Sequence, residues 1–251
     1  MANTALLFPV DGLAADDAVT AERREMKFVY RAHDVDAIRC VLEGNLRRVQ
    51  FGADPVSRVN SIYFDDDHLS ACEESLAGVS RRWKLRLRWY DRPLPGRRVF
   101  FEEKVRRGVM IAKQRVAFDV AEPLGAVSFS AILGALDHTL DEALSARLAL
   151  RGDPAVLVAY RREHFRDRES RARVTLDYDV VGYDQRGKPR PTRGAGSPVH
   201  DLVVVEVKTP PDEEMLARRL LFPLRPRLSR CSKYALCCER MGWNRIHDRH
   251  G

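Results

Sequence analysis

The chain has 251 residues, 45% of them hydrophobic, enough to bury a sizeable core, and a single domain is the simplest organisation. Lys and Arg number 43 against 36 Asp and Glu, and the net charge of +7 favours an anionic partner without choosing among nucleic acid, membrane surface and phosphate metabolites. Five cysteines, Cys40, Cys72, Cys231, Cys237 and Cys238, form no C-x-x-C pair, which argues against a disulfide framework and a zinc site and predicts a reducing, cytoplasmic setting.

Residues 1–21 are Ala- and Asp-rich without a sustained period and read as a flexible arm; Asp11, Asp16 and Asp17 stand where a signal peptide would carry positive charge. No apolar run reaches the roughly 20 residues of a membrane-spanning helix. The domain is expected over 22–242, with a polar tail at 243–251. A strand at 24–31 leads to Asp34, a candidate N-cap for a helix carrying Val35, Ile38, Val41 and Leu42 on one side and ending near Gly44 and Asn45. Strands follow at 58–64, 81–90, 97–106 and 109–119, the last three joined by turns at Pro93, Pro95, Gly96 and at Gly108. Helical spacing fills 121–150, as two helices broken near 137–139. Strands return at 155–165, 171–180 and 202–208, the last two separated by a Gly-, Pro- and Arg-rich loop, and helices at 212–221 and 231–241 end the domain. The expected class is α+β: a closed antiparallel eight-stranded tunnel barrel with helices packed outside.

What points to chemistry is where the charges fall within the strands. In 81–90 the cations Arg82, Lys84, Arg86 and Arg88 alternate with Trp83, Leu85, Leu87 and Trp89, so one face is cationic and the other apolar. The same period of two recurs in Glu25 and Lys27; Glu102, Lys104 and Arg106; Tyr160 and Arg162; Arg171, Arg173 and Asp177; and Glu206 and Lys208. Two like charges about 6 Å apart repel by roughly 3 kcal/mol at an effective dielectric near 20, so such a face needs water or a polyanion. Glu206 stands among Val203, Val205 and Val207, where it either binds a hard cation through oxygen or forms an ion pair with a neighbour.

Other chemistries find no support. Gly182 to Lys188 imitates the start of a P-loop, but Pro189 stands where Ser or Thr must bind magnesium, and the prolines that follow forbid the helix. There is no H-E-x-x-H, G-x-S-x-G or G-x-G-x-x-G. RNA binding would want aromatics interleaved with the cations, and Trp83 and Trp89 lie on the opposite face.

The ordered set Glu25-Met26-Lys27-Phe28, Lys84 to Tyr90, Phe101-Glu102-Glu103-Lys104, Tyr160-Arg161-Arg162, Glu206-Val207-Lys208 and Ser232-Lys233-Tyr234 resembles the VTC domain of polyphosphate polymerases, within the triphosphate tunnel metalloenzymes. The resemblance spans about 23–241. It implies that Lys27, Lys84, Arg86, Arg88, Lys104, Lys113, Tyr160, Arg162, Lys208, Ser232 and Lys233 bind phosphate, with Arg86, Arg88 and Lys233 catalytic and Glu206 holding Mn2+ or Mg2+. Many tunnel enzymes open with E-x-E-x-K; here Arg23 replaces the first carboxylate, which weakens a two-metal hydrolase and leaves phosphate binding intact. The implied activity is transfer of the terminal phosphoryl group of ATP to a growing polyphosphate chain, a reaction catalysed mainly by positioning and charge neutralisation. Triphosphate hydrolysis in the same tunnel and a non-catalytic polyphosphate or inositol-phosphate binding module are the alternatives. ATP and polyphosphate are the expected partners, nucleic acid is not, and association with a membrane protein stays open.

Overall fold

Period-two alternation becomes strand in all eight expected places. The structure is a computed structural model and describes residues 7–9, 24–51, 54–91, 94, 98–108, 110–169 and 171–243. Apart from 7–9 and Trp243, the expected arm and tail lie outside the described residues, as do Pro93, Pro95 and Gly96. The expected strands appear as β2 (Arg24–Tyr30), β4 (Ser57–Asp65), β5 (Arg81–Tyr90), β6 (Arg98–Arg107), β7 (Met110–Val120), β8 (Asp153–Arg166), β9 (Arg173–Asp184) and β11 (Val203–Thr209). Three short strands join them: β1 (Leu7–Pro9), β3 (Arg47–Val49) and β10 (Ser197–Pro198).

All are antiparallel in one sheet ordered β1-β7-β6-β5-β4-β8-β9-β11-β2, with β3 on β8 and β10 on β9. The expected closure of the barrel is not realised, because no ladder joins β2 to β7 among the described residues. Both edges have other occupants. β1 lies along β7, while Leu228 bridges Phe28 and the Ser229 amide donates to the Lys27 carbonyl at 2.8 Å along β2. The sheet is therefore a curled, open half-barrel. Side chains still cross the gap, since Lys104 of β6 reaches Glu25 of β2 at 2.9 Å.

The helices are α1 (Val35–Asn45), α2 (Ser70–Leu76), α3 (Phe129–Thr139), α4 (Glu142–Leu150), α5 (Glu214–Leu220) and α6 (Lys233–Arg240). Asp34 does not cap α1: it ends a 3-10 turn, Ala32–Asp34, in helical conformation, without a side-chain cap bond. Ser128 and Asp141 do cap α3 and α4, and the break between those helices falls at Leu140 and Asp141. The Gly182 segment ends β9 and enters a turn, as its prolines require. Among the described residues no helix is long and apolar enough to cross a membrane.

Apolar outer faces seat the helices, which frees the other face for charge. Leu85, Leu87, Trp89, Phe101 and Phe118 pack with Ile132, Leu136, Leu144 and Leu148 of α3 and α4. Met26, Phe28, Val203, Val205 and Val207 pack with Ile38 and Leu42 of α1 and Ala217 of α5. Glu163, fully buried on β8, ties down α1 and β3 by accepting from Arg39 at 2.9 Å and Arg48 at 2.6 Å. By contrast α6 lies on the charged inner face. Its Tyr234, Cys237 and Cys238 pack with Val59, Val158, Tyr160 and Val204, and Tyr234 stacks on Tyr63 with centroids 4.8 Å apart.

Gly182 permits that seating, because a Cβ there would stand 2.8 Å from the Cys237 Cβ. Gly182→Ala is expected to cost about 1–3 kcal/mol through overpacking, read as a lower denaturant midpoint. An unchanged midpoint would mean that α6 is not held this tightly against β9.

Candidate polyanion site

Glu102 is the centre of the inner face. It is 1% exposed, and its register partners on β5 and β7 are Arg86 and Arg115. Arg86 Nε donates to Oε2 at 2.6 Å and Arg115 Nε to Oε1 at 2.7 Å; Lys113 stands 3.1 Å away and Arg88 3.7 Å. Burial opposes ionisation, but Arg86, Arg88, Lys113 and Arg115 hold the carboxyl well below the usual range. Four cations thus share one carboxylate. The three arginines also donate to hydroxyls: Arg86 to Tyr63, Arg115 to Tyr90 and Arg88 to Ser61.

A second cluster joins β2, β6 and β11. Glu25 accepts from Lys104 and lies 3.2 Å from Lys27, while Glu206 lies 3.8 Å from Lys27 and 3.3 Å from Lys208. Glu25 and Glu206 repel one another, and burial raises both, yet the lysines pull both carboxyls below their ordinary value. A third cluster surrounds fully buried Asp177 of β9. It accepts two bonds from Arg162, at 2.6 and 2.7 Å, and one from Lys233 at 2.6 Å. The Tyr160 ring lies beneath both cations, 5.3 Å from Arg162 and 4.8 Å from Lys233.

Lys84 is the exception, because among the described residues its ammonium meets no carboxylate. It donates to Ser232 Oγ at 2.7 Å and lies 5.6 Å from the Tyr234 ring. Burial, with Lys27, Lys104 and Arg82 adding repulsion, pushes its pKa down to about 8. Ser232 has two tasks, since the same oxygen caps α6 by accepting from the Ala235 amide.

The sequence-predicted residues therefore come together on one face. Lys27, Lys84, Arg86, Arg88, Lys104, Lys113, Tyr160, Arg162, Lys208, Ser232, Lys233 and Glu206 all lie in or beside these three clusters. Sequence reasoning gave no role to Glu25, Glu102, Asp177, Arg115, Tyr63 or Tyr90. Arg115 follows Lys113 by two residues and carried a usable signal; the carboxylates acquire partners only through the register of distant strands.

An antiparallel curled sheet whose cationic inner face is bordered by a C-terminal helix is a triphosphate-tunnel type of fold. A family model for the VTC domain matches residues 22–241, and the chain belongs to the VTC-domain family. A comparison with curated proteins found no match. Among solved structures the chain is similar to HpAC1 from Hippeastrum, provisionally described as an adenylyl cyclase and reported to have a dominant triphosphatase activity. That similarity has a TM-score of 0.52 and 15% identity, covering 87% of this chain and 95% of the other.

The Lys84 environment generates a pH prediction. Between about pH 8 and 10.5 the unfolded chain keeps this proton and the folded chain releases it, so stability contributed by this site rises with pH. Anion affinity moves the other way, falling as the ammonium is lost. The Tyr63 phenol reinforces both trends: burial opposes the shift, but Arg86, Arg88 and Lys84 lower it to about 8. Tripolyphosphate titrations should lose affinity through pH 8 in the native chain and much less in Lys84→Met. An identical pH profile in the variant would mean that Lys84 does not carry the loss and would leave it to Tyr63.

Proposed function

We propose that this chain is a divalent-metal-dependent polyphosphate polymerase that transfers the terminal phosphoryl group of ATP to the end of a growing polyphosphate chain. One observation carries the choice of transfer over hydrolysis. Glu25, Glu102, Asp177 and Glu206, the carboxylates of the inner face clusters, are bonded to cations and have lowered pKa values, so they are poor bases for water. A phosphate-chain terminus is already anionic and needs none. Lys84 and Tyr63, each lowered to about 8, are the inner-face groups nearest neutrality, and a bound triphosphate raises the Lys84 pKa again and returns it to the charged form.

In this reading Lys27, Lys84, Lys104, Lys113, Arg162 and Lys208 bind phosphate oxygens, helped by the Tyr160 and Ser232 hydroxyls. Arg86, Arg88 and Lys233 neutralise the charge that develops as the phosphoryl group moves. Binding an anion exchanges the present partners of these cations, a hydroxyl for Lys84 and carboxylates for the others, for phosphate, so little new ordering is required.

The donor set fits a hard divalent ion in part. Glu206 of β11, buried, and Glu25 of β2, partly exposed, are mutually repelling carboxylates, and no group of three or more His, Cys, Asp or Glu side chains able to hold a metal occurs among the described residues. Mg2+ or Mn2+ held by one or two carboxylates takes its remaining oxygens from substrate phosphates and water. Bound there, the ion would neutralise triphosphate charge and fix its oxygens.

Triphosphate hydrolysis is the second reading, favoured by the similarity to HpAC1. Incubation of the pure chain with ATP and Mn2+ or Mg2+ separates the two. ADP should appear together with acid-labile polymer; orthophosphate without polymer would make the chain a triphosphatase, and binding without turnover a non-catalytic module.

Variants divide the roles further. Arg86→Ala or Arg88→Ala should lower tripolyphosphate affinity by at least about tenfold, since a bond to a charged group is worth roughly 1.5–3 kcal/mol. Glu206→Gln should abolish turnover and keep tripolyphosphate binding. A normal metal optimum with weakened phosphate affinity in Glu206→Gln would remove the metal role and leave Glu206 as a partner for Lys27 and Lys208.

A further inference from the structure

The β5–β6 ladder carries like charges opposite one another from its rim inward. Arg81 faces Arg107, Arg82 faces Arg106, and Lys84 faces Lys104; only at Arg86 and Glu102 do opposite charges meet. Like charges directly across a ladder destabilise it, and here three such pairs occur on one hairpin. Lys84 and Lys104 belong to the inner face already described. The Arg82–Arg106 pair lies beyond them on the same face, at the end of the cleft, while Arg81 and Arg107 alternate to the other face.

The rim has few counter-charges. Among the described residues, Arg82 donates to the Val79 carbonyl and Arg106 to the Gly108 carbonyl at 2.9 Å, acceptors that carry no charge. Glu74 is the carboxylate that acts on Arg82, and Arg151 holds it with bonds to both oxygens. Arg230, on the approach to α6, brings its guanidinium over Gly78, which has a positive φ of 70° and no Cβ to block it. Burial, Arg106 and Arg230 all lower the Arg82 pKa.

We propose that this rim is a second polyanion site, where Arg82, Arg106 and Arg230 hold the protruding length of an inorganic polyphosphate chain whose end lies on the inner face. The inference rests on the polyphosphate reading above and adds the direction in which the chain leaves. The row Arg82, Lys84, Arg86 runs without interruption from rim to Glu102, about 14 Å at the rise of an antiparallel strand. A flexible anion of repeating charge can follow such a row, which a single triphosphate does not fill. Nucleic acid is a poorer fit. Trp83 points to the opposite face beneath the Arg151 guanidinium, 4.4 Å from it, so its ring is not offered to a base.

The test compares long-chain inorganic polyphosphate with tripolyphosphate on the full chain and on the double variant Arg82→Gln/Arg106→Gln. Long-chain affinity should fall by about tenfold or more in the variant, while tripolyphosphate affinity stays within about twofold. The ligand-free variant should melt at the same temperature or higher, because a like-charge pair has been removed. Equal loss for both ligands would make the rim part of the triphosphate site and overturn the inference. So would unchanged long-chain affinity, a lower melting temperature of the free variant, or single-stranded RNA competing as well as polyphosphate for the native rim. If the native chain bound neither phosphate ligand, the polyphosphate reading itself would fall; intact tripolyphosphate binding with no rim effect would remove this inference alone.

Discussion

Buried like charge is the constraint on which the rest of the structure depends. Arg86, Arg88, Lys113 and Arg115 converge on the single carboxylate of Glu102, and an ion pair out of water is tolerated only when its geometry and remaining hydrogen bonds are good. Each feature around the knot answers that requirement. Tyr63, Tyr90 and Ser61 take the donors that Glu102 cannot, and Asp177 and the Glu25–Glu206 pair hold the flanking cations in separate groups. What remains is an excess of positive charge in fixed positions, with each cation already pointing at an exchangeable partner.

The fold supports this by dividing labour between the two faces of one sheet. Because alternate residues point to opposite sides, the strand that carries Arg86 and Arg88 inward also carries Leu85, Leu87 and Trp89 outward, where α3 and α4 cover them. Stability comes from the outer clusters, which contain few charges, so the inner face is free to be electrostatically unfavourable when empty. α6 is the element that crosses over. Its apolar side closes one end of the inner face, and its first turn brings Ser232 to Lys84 and Lys233 to Asp177, joining residues far apart in sequence.

Much of this was legible in the chain itself. The eight strands follow from alternation, the sidedness of 81–90 from its four cations, and the family from short motifs in order. The short strands and α2 were not, because three residues such as Arg47–Val49, or seven such as Ser70–Leu76, carry too little periodicity to stand above a loop. The open edge of the barrel is not legible in the chain for a different reason. Whether β2 pairs with β7 depends on what else reaches its edge, and the segment that does so, around Leu228 and Ser229, has no strand pattern of its own. The roles of Glu25, Glu102 and Asp177 were hidden likewise: each is an ordinary alternating carboxylate until register brings Lys104, Arg115 or Lys233 to it.

The most direct measurement is the stability of Glu102→Gln with and without tripolyphosphate. Removing one partner of a buried pair leaves the other charges uncompensated at a cost of about 3–5 kcal/mol, and an anion bound among them supplies what was lost. Denaturation of the variant should therefore show a large loss when ligand-free, and a greater gain on adding tripolyphosphate than the native chain shows. A variant as stable as the native chain, or one that tripolyphosphate does not restore, would contradict an inner face organised around charge held in readiness for phosphate.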